Sequence, residues 1–197
     1  VISIILARLL APRDYGIVVL VMVFIDIAVI FIENGFSVAL VQKKNADDTD
    51  FSSVFFFSIA FSAVTYIMLW FAAPFIAGFY KLPEIKPVLR VLSAVIFLGT
   101  LNSIQHAILS RNMAFKKSFK IVISGVLISA FVGIWMAYAG YGVWALVGQK
   151  LTSYTCQNLI MWYLIKWKPK LLFSLTRLKS LFSFGGRTFL ASMLHYV

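Results

Sequence analysis

The sequence is poor in charged residues and contains a single cysteine. Only 13% of its 197 residues are charged, whereas 61% are hydrophobic, and the mean hydropathy is +0.93. Soluble domains carry roughly twice that share of charged residues, so this composition predicts that the chain is surrounded by lipid. The lone Cys156 excludes a disulfide within the chain and a metal site built from cysteines.

The sequence also lacks the motifs of the common catalytic sites. It has no glycine-rich nucleotide loop, no cluster of histidines or cysteines, and no G-x-S-x-G segment. The loops between the apolar runs are too short to hold a soluble catalytic domain. We therefore predict that the protein is not an enzyme and that it binds neither a cofactor nor a metal ion.

The net charge of +11 does not indicate a nucleic-acid-binding protein. Such binding needs a basic face on a soluble scaffold, whereas the basic residues of membrane proteins collect in cytoplasmic loops. Lys and Arg are concentrated here in the alternate loops 42–50, 111–120 and 166–179. The sequence therefore predicts that these loops are cytoplasmic and that nucleic acid is not a partner.

Five apolar runs are long enough to span a bilayer, which takes about 20 residues. They cover residues 16–41, 51–80, 87–110, 121–139 and 142–165. Residues 1–10 are expected to be the tail of a truncated first helix. The prediction is an all-α polytopic transmembrane helix bundle.

The basic segment 166–179 mixes Lys and Arg with Leu and Phe at helical spacing, a pattern typical of an interfacial amphipathic helix. A further span begins near Leu181. We therefore predict an N-terminal transmembrane lobe at 1–165, a cytoplasmic amphipathic linker at 166–180, and the start of a second, truncated lobe at 181–197.

Two carboxylates interrupt the first apolar run. Asp26 and Glu33 are seven residues apart, so two helical turns bring them to nearly the same angle, and Ser37 continues that stripe. A carboxylate at the bilayer centre costs roughly 2.5–3.5 kcal/mol. We therefore expect this stripe to face protein or a wet cavity.

Other spans also carry polar side chains on one face. These are Asn102, Gln105, His106 and Ser110, then Gln149, Lys150, Ser153, Tyr154, Gln157 and Asn158, and finally Arg187. Facing inwards, these stripes would enclose a polar, partly cationic cavity in which Lys150 or Arg187 is a candidate partner for Asp26.

A structural interpretation of the same residues stays open. Asn102, Gln105, Ser153 and Asn158 could bond one helix to another, at about 0.6 kcal/mol each. His106 could be a proton relay or a core residue, and Lys150 could extend to the membrane surface. The residues Gly125, Ser129 and Gly133 form a ridge of small side chains that predicts helix packing.

Five segments resemble the Wzx-type polysaccharide flippases, in the order in which that family has them. They are "ARLLAPRDYG" at 7–16, "ENGFSVALVQ" at 33–42, "FYKLPEIKPVLRVLS" at 79–93, "RNMAFKKSFKI" at 111–121 and "AYAGYGVWALVGQ" at 137–149. They extend over most of the chain and are most similar to the lipopolysaccharide and colanic-acid exporter branch of the polysaccharide transporter family.

This resemblance implies a MATE-like fold with two six-helix lobes around a central cavity, in the bacterial cytoplasmic (inner) membrane. It implies transport of an undecaprenyl-pyrophosphate-linked oligosaccharide, with membrane lipids and polymerase or chain-length proteins as partners. Under it, the anionic head group would be attracted by Arg8, Arg13, Lys150 and Arg187. Asp26 and Glu33 would couple transport to an ion or contact sugars, and Asn102 and Gln105 would also line the cavity.

Three other functions remain open, one of them a purely structural membrane scaffold, which would not need charged stripes on several helices. A MATE-like cation or drug antiporter would use the same fold but favours acidic groups in its cavity. A membrane-embedded glycan polymerase or ligase would need a large periplasmic loop.

Overall fold

The computed structural model describes residues 2–32, 40–41, 47–165 and 167–178, and the regular secondary structure in these ranges is helical. The helices are α1 (Ile2–Leu9), α2 (Pro12–Ile32), α3 (Asp48–Phe79), α4 (Ile85–Leu92), α5 (Ala94–Arg111), α6 (Phe115–Tyr138) and α7 (Val143–Leu164). The prediction of an all-α transmembrane helix bundle is confirmed.

Within the described ranges, three segments are long and apolar enough to cross a membrane: Asp48–Phe79, Ile85–Arg111 and Phe115–Tyr138. They correspond to the second, third and fourth predicted spans. The first and fifth predicted spans fall on α2 and α7, which are 21 and 22 residues long. In the described part of the chain, neither helix is among the segments that length and composition mark as spans.

The continuous segment formed by α4 and α5 is the central element of the bundle. Its apolar stretch is 61% buried by protein, against 22% for α3 and 33% for α6. Helices α2, α3 and α7 all pack against it. The large side chains exposed on α3 and α6, such as Phe75 and Phe131, therefore form the surface that faces lipid.

Helices α6 and α7 make the most extensive pair of contacts in the bundle. Glycines allow their close approach: a Cβ atom added at Gly125 would lie 2.5 Å from Cγ of Gln157, and one at Gly133 would lie 2.9 Å from Cβ of Gln149. On α7, a Cβ atom at Gly148 would lie 2.5 Å from Sδ of Met136. The packing role predicted for the Gly125–Gly133 ridge is confirmed.

The start of α3 is fixed by a capping box, in which two residues satisfy each other's free backbone N–H groups. The N–H of Asp50 donates to Oδ1 of Asp47 at 3.0 Å, and the N–H of Asp47 donates to Oδ2 of Asp50 at 3.2 Å. Three acidic side chains, Asp47, Asp48 and Asp50, thus lie where the helix dipole favours negative charge.

The linker docks on this acidic end of α3. Lys170 pairs with Asp48, and Arg177 pairs with Asp47 and lies 3.6 Å from Asp50. The hydrogen bond that Arg177 donates to Asp47, and then the negative charge of Asp47, raise the pKa of Arg177 above its ordinary value. These contacts hold the basic side chains of the linker against the helix.

The linker is not the amphipathic helix expected over 166–179. Residues 167–174 are not helical, and a helical turn begins only at Leu175. Pro169 cannot donate a backbone hydrogen bond, and the N–H groups of Lys170 and Ser174 donate to the hydroxyls of Ser52 and Ser53, each at 3.0 Å. Side chains of α3 thus replace the helical carbonyls as acceptors.

Candidate functional site

A cavity of about 530 Å³ lies between α2 on one side and α6 and α7 on the other. Most of its lining is aliphatic, with side chains such as Val18, Met22 and Leu146. The polar side chains in the lining are Tyr15 and Asp26 from α2, Ser129 from α6, and Gln149, Lys150 and Ser153 from α7. The cavity is therefore an apolar groove with a few polar groups, which is the usual composition of a small-molecule site.

Helical periodicity places the polar groups on facing walls. Tyr15 and Asp26 are eleven residues apart, which is about three turns, and so share one face of α2. Gln149, Lys150 and Ser153 fall within one turn on the face of α7 that points to α2. One member of the predicted α2 stripe, Asp26, and three of the α7 stripe, Gln149, Lys150 and Ser153, line this cavity.

The cavity holds two opposite charges that are not paired with each other. Asp26 and Lys150 both line it, both are solvent-exposed, and no ion pair within 4.0 Å joins them among the described residues. The ammonium group can therefore contact an anionic ligand, while the carboxylate can accept hydrogen bonds from hydroxyl groups or take up a proton. Lys150 is the candidate partner of Asp26 that the structure brings into the same cavity.

The two predicted arginines of the first segment lie outside the cavity lining. Arg8 is exposed on α1. Nη2 of Arg13 donates to Oε1 of Glu84 at 2.8 Å, with the two side chains 62% and 43% exposed. This ion pair joins the α1–α2 corner to the turn between α3 and α4.

Asn102 and Gln105 are buried on α5 and do not contribute to the cavity lining. Within the described part of the chain, Oδ1 of Asn102 and both side-chain polar atoms of Gln105 have no hydrogen-bond partner. Asn158 instead bonds two helices, because its Nδ2 donates to the carbonyl of Leu98 at 2.8 Å. The packing interpretation is confirmed for Asn158.

Glu33, Ser37 and Arg187 lie outside the described residues, so their roles stay predictions. Tyr15 and Ser129 are cavity residues that the sequence analysis missed. The three-turn spacing from Tyr15 to Asp26 could have indicated that Tyr15 shares the polar face of α2. Ser129 had been assigned to the packing ridge, and no sequence signal separates its two roles.

A family model described as "Polysaccharide biosynthesis protein" matches residues 5–197. The chain belongs to this family. Its relatives include the succinoglycan biosynthesis transport protein ExoT of Rhizobium meliloti (strain 1021), with 27% identity over 183 residues, 92% of this chain and 37% of the relative. The teichuronic acid biosynthesis protein TuaB of Bacillus subtilis (strain 168) is 26% identical over 162 residues, 81% of this chain and 33% of the relative.

These relatives confirm the resemblance to polysaccharide transporters that the sequence segments indicated. This member of the polysaccharide biosynthesis family spans about a third of the length of the curated relatives it matches. No solved structure matches the chain significantly.

Proposed function

We propose that this protein is part of a flippase that moves polyprenyl-pyrophosphate-linked oligosaccharides across the bacterial cytoplasmic membrane. The observation that carries the proposal is the cavity containing Lys150 and Asp26, which lies in a helix bundle of the polysaccharide biosynthesis family. The relative ExoT is a succinoglycan biosynthesis transport protein, which supports a role in transport.

The cavity chemistry suits both ends of such a substrate. Lys150 carries the ammonium group that would bind the pyrophosphate, since a charge-assisted hydrogen bond to phosphate is stronger than a neutral one. The side chains of Gln149, Ser153 and Tyr15 offer amide and hydroxyl groups for sugar hydroxyls. Asp26 would accept further sugar hydroxyls or take up the coupling ion.

The cavity is open to its surroundings, so a second lobe of the protein could complete its walls. We assign residues 1–165 to the first lobe, 166–180 to the linker and 181–197 to the start of the second lobe. Membrane lipids and polymerase or chain-length proteins are the proposed partners. Glu33 is proposed as a second coupling residue and Arg187 as a second cation, each to be tested by neutral substitution in the full-length protein.

The decisive experiment complements a deletion strain with the full-length gene and measures the membrane face on which polyprenyl-linked oligosaccharide accumulates. Accumulation on the cytoplasmic face, relieved by the wild-type gene, is expected. Periplasmic accumulation of single repeat units would instead indicate a polymerase. No accumulation at all would contradict the flippase.

Substitutions at Lys150 connect that phenotype to the cavity. Lys150→Gln should slow relief of the cytoplasmic accumulation about tenfold or more, because a hydrogen bond to a charged group contributes about 1.5–3 kcal/mol. Lys150→Arg keeps the charge and should retain most activity. Lys120→Gln is the control, since Lys120 is exposed on α6 and outside the cavity lining.

The Asp26 carboxylate is the one observation that favours a cation antiporter instead. In that case Asp26→Asn would abolish extrusion of cationic drugs, and Lys150→Gln would leave extrusion intact. The two functions therefore differ in their need for Lys150, which only the flippase requires.

A further inference from the structure

Within the described part of the chain, an arginine of α4 that lies outside the cavity lining has no acidic partner. The guanidinium carbon of Arg90, on α4, lies 4.4 Å from the ring centroid of Trp70, on α3. Its Nε donates to the carbonyl of Trp70 at 3.4 Å. Among the described residues, no ion pair within 4.0 Å joins this guanidinium to a carboxylate. The acidic residue nearest in sequence, Glu84, pairs with Arg13.

The length of α3 and the position of Trp70 along it imply that this charge lies within the apolar part of the membrane. The 32 residues of α3 extend for about 48 Å, well beyond a hydrocarbon core of about 30 Å. If the helix is centred on that core, Trp70 lies about 10 Å from the midplane, close to the boundary at the C-terminal end of α3. An unpaired arginine at this depth is costly unless an anion neutralises it.

The aromatic ring holds Arg90 at this depth, where a free arginine would extend its head to the surface. Trp70 is itself held by Tyr66, whose ring centroid lies 5.9 Å away, and Tyr66 packs at 5.5 Å against Phe97 of α5. Cation–π contact and the bond from Nε fix one edge of the guanidinium. The terminal N–H groups remain available, in the fork geometry that matches phosphate oxygens.

An apolar groove of about 200 Å³ lies beside the tryptophan, lined by Tyr66, Ile67, Trp70 and Phe71. Ile67 and Phe71 are 54% and 68% exposed on the lipid-facing side of α3. A cation next to a groove of exposed apolar side chains is complementary to a molecule with an anionic head and a hydrocarbon chain.

We propose that Arg90 and Trp70 form a binding site for the phosphate of an anionic phospholipid, with one acyl chain of that lipid in the groove beside Trp70. The site is separate from the transport cavity and does not depend on which molecule the protein transports. It would anchor α3 to α4 through a bound lipid.

The test is native mass spectrometry of the full-length protein, delipidated and then mixed with phosphatidylglycerol or phosphatidylcholine. Wild type should retain phosphatidylglycerol in preference to phosphatidylcholine. Arg90→Gln should lower the retained phosphatidylglycerol about fivefold, the equivalent of one arginine near an anionic surface. Lys86→Gln removes an exposed charge four residues earlier and should leave retention unchanged.

A second variant keeps the test decisive if Arg90→Gln does not fold. Trp70→Leu leaves the charge but removes the ring, and should lower retention about two- to fivefold. Equal losses in Arg90→Gln and Lys86→Gln would overturn the site, because they would reflect net charge alone. Displacement of the lipid by millimolar inorganic phosphate would also overturn it, since the site would then take phosphate from solution. Unchanged retention in both Arg90→Gln and Trp70→Leu would refute the proposal outright.

Discussion

The contact between α6 and α7 allows a quantitative test at Gly125. In Gly125→Ala, the new Cβ atom would lie 2.5 Å from Cγ of Gln157 and 3.2 Å from the backbone carbonyl oxygen of Ser153. The side chain can move, but the carbonyl belongs to α7 and cannot move without the helix. Overpacking of this kind costs about 1–3 kcal/mol.

The matched control is Gly99→Ala on α5. An added Cβ atom at Gly99 has nothing within 4 Å, so this variant changes only helix propensity, where Ala is favoured over Gly by about 1 kcal/mol. Both variants gain that propensity, but only Gly125→Ala loses packing. Gly125→Ala should therefore be less stable than Gly99→Ala by about 1–3 kcal/mol.

The assay is equilibrium unfolding of the full-length protein in mixed micelles, followed by circular dichroism. Adding Gln157→Ala should recover only the part of the loss due to the Gln157 side chain, because the contact with the carbonyl oxygen of Ser153 remains. The recovery is measured against Gln157→Ala alone, as a double-mutant cycle requires. If Gly125→Ala and Gly99→Ala prove equally stable, the close approach of α6 and α7 is incorrect.

Three further predictions concern the contacts that join separate elements. Asp47→Ala removes the N-cap of α3 and a partner of Arg177, so it should lower the free energy of unfolding by about 1 kcal/mol and speed tryptic cleavage after Arg177. Thr49→Ala is the control, and equally fast cleavage of that variant would contradict the prediction. Arg13→Ala breaks an exposed ion pair and should lower the free energy of unfolding by less than about 1 kcal/mol; a larger loss would mean that the pair is not exposed. Asn158→Leu removes a hydrogen bond between α5 and α7 and should cost about 0.6–1.7 kcal/mol in the same micelle assay, and an unchanged midpoint would argue against that bond.

Much of the bundle could be predicted because apolar length and helical periodicity are local properties. The three segments Asp48–Phe79, Ile85–Arg111 and Phe115–Tyr138 follow from composition alone. The polar face of α7 and the position of Asp26 on α2 also follow from the 3.6-residue repeat. Both could be assigned to a shared cavity before any contact was known.

Partners across the bundle could not be predicted, because they depend on how the helices are arranged. Arg13 and Lys150 are both predicted from the sequence to attract the anionic head group, yet Arg13 pairs with Glu84, 71 residues away. Gln105 belongs to a polar stripe, yet it is buried and does not line the cavity. The helix predicted over 166–179 is absent at 167–174, where the backbone N–H groups of Lys170 and Ser174 donate to the hydroxyls of Ser52 and Ser53, which are distant in sequence.

The glycine contacts between α6 and α7 have a mechanical consequence for the cavity. Helices that interlock at Gly125, Gly133 and Gly148 leave no free space for sliding or rolling against each other. Gln149, Lys150 and Ser153 of α7 therefore keep constant positions relative to α6. Any change in the width of the cavity therefore requires α2, which carries Tyr15 and Asp26, to move relative to the rigid pair formed by α6 and α7.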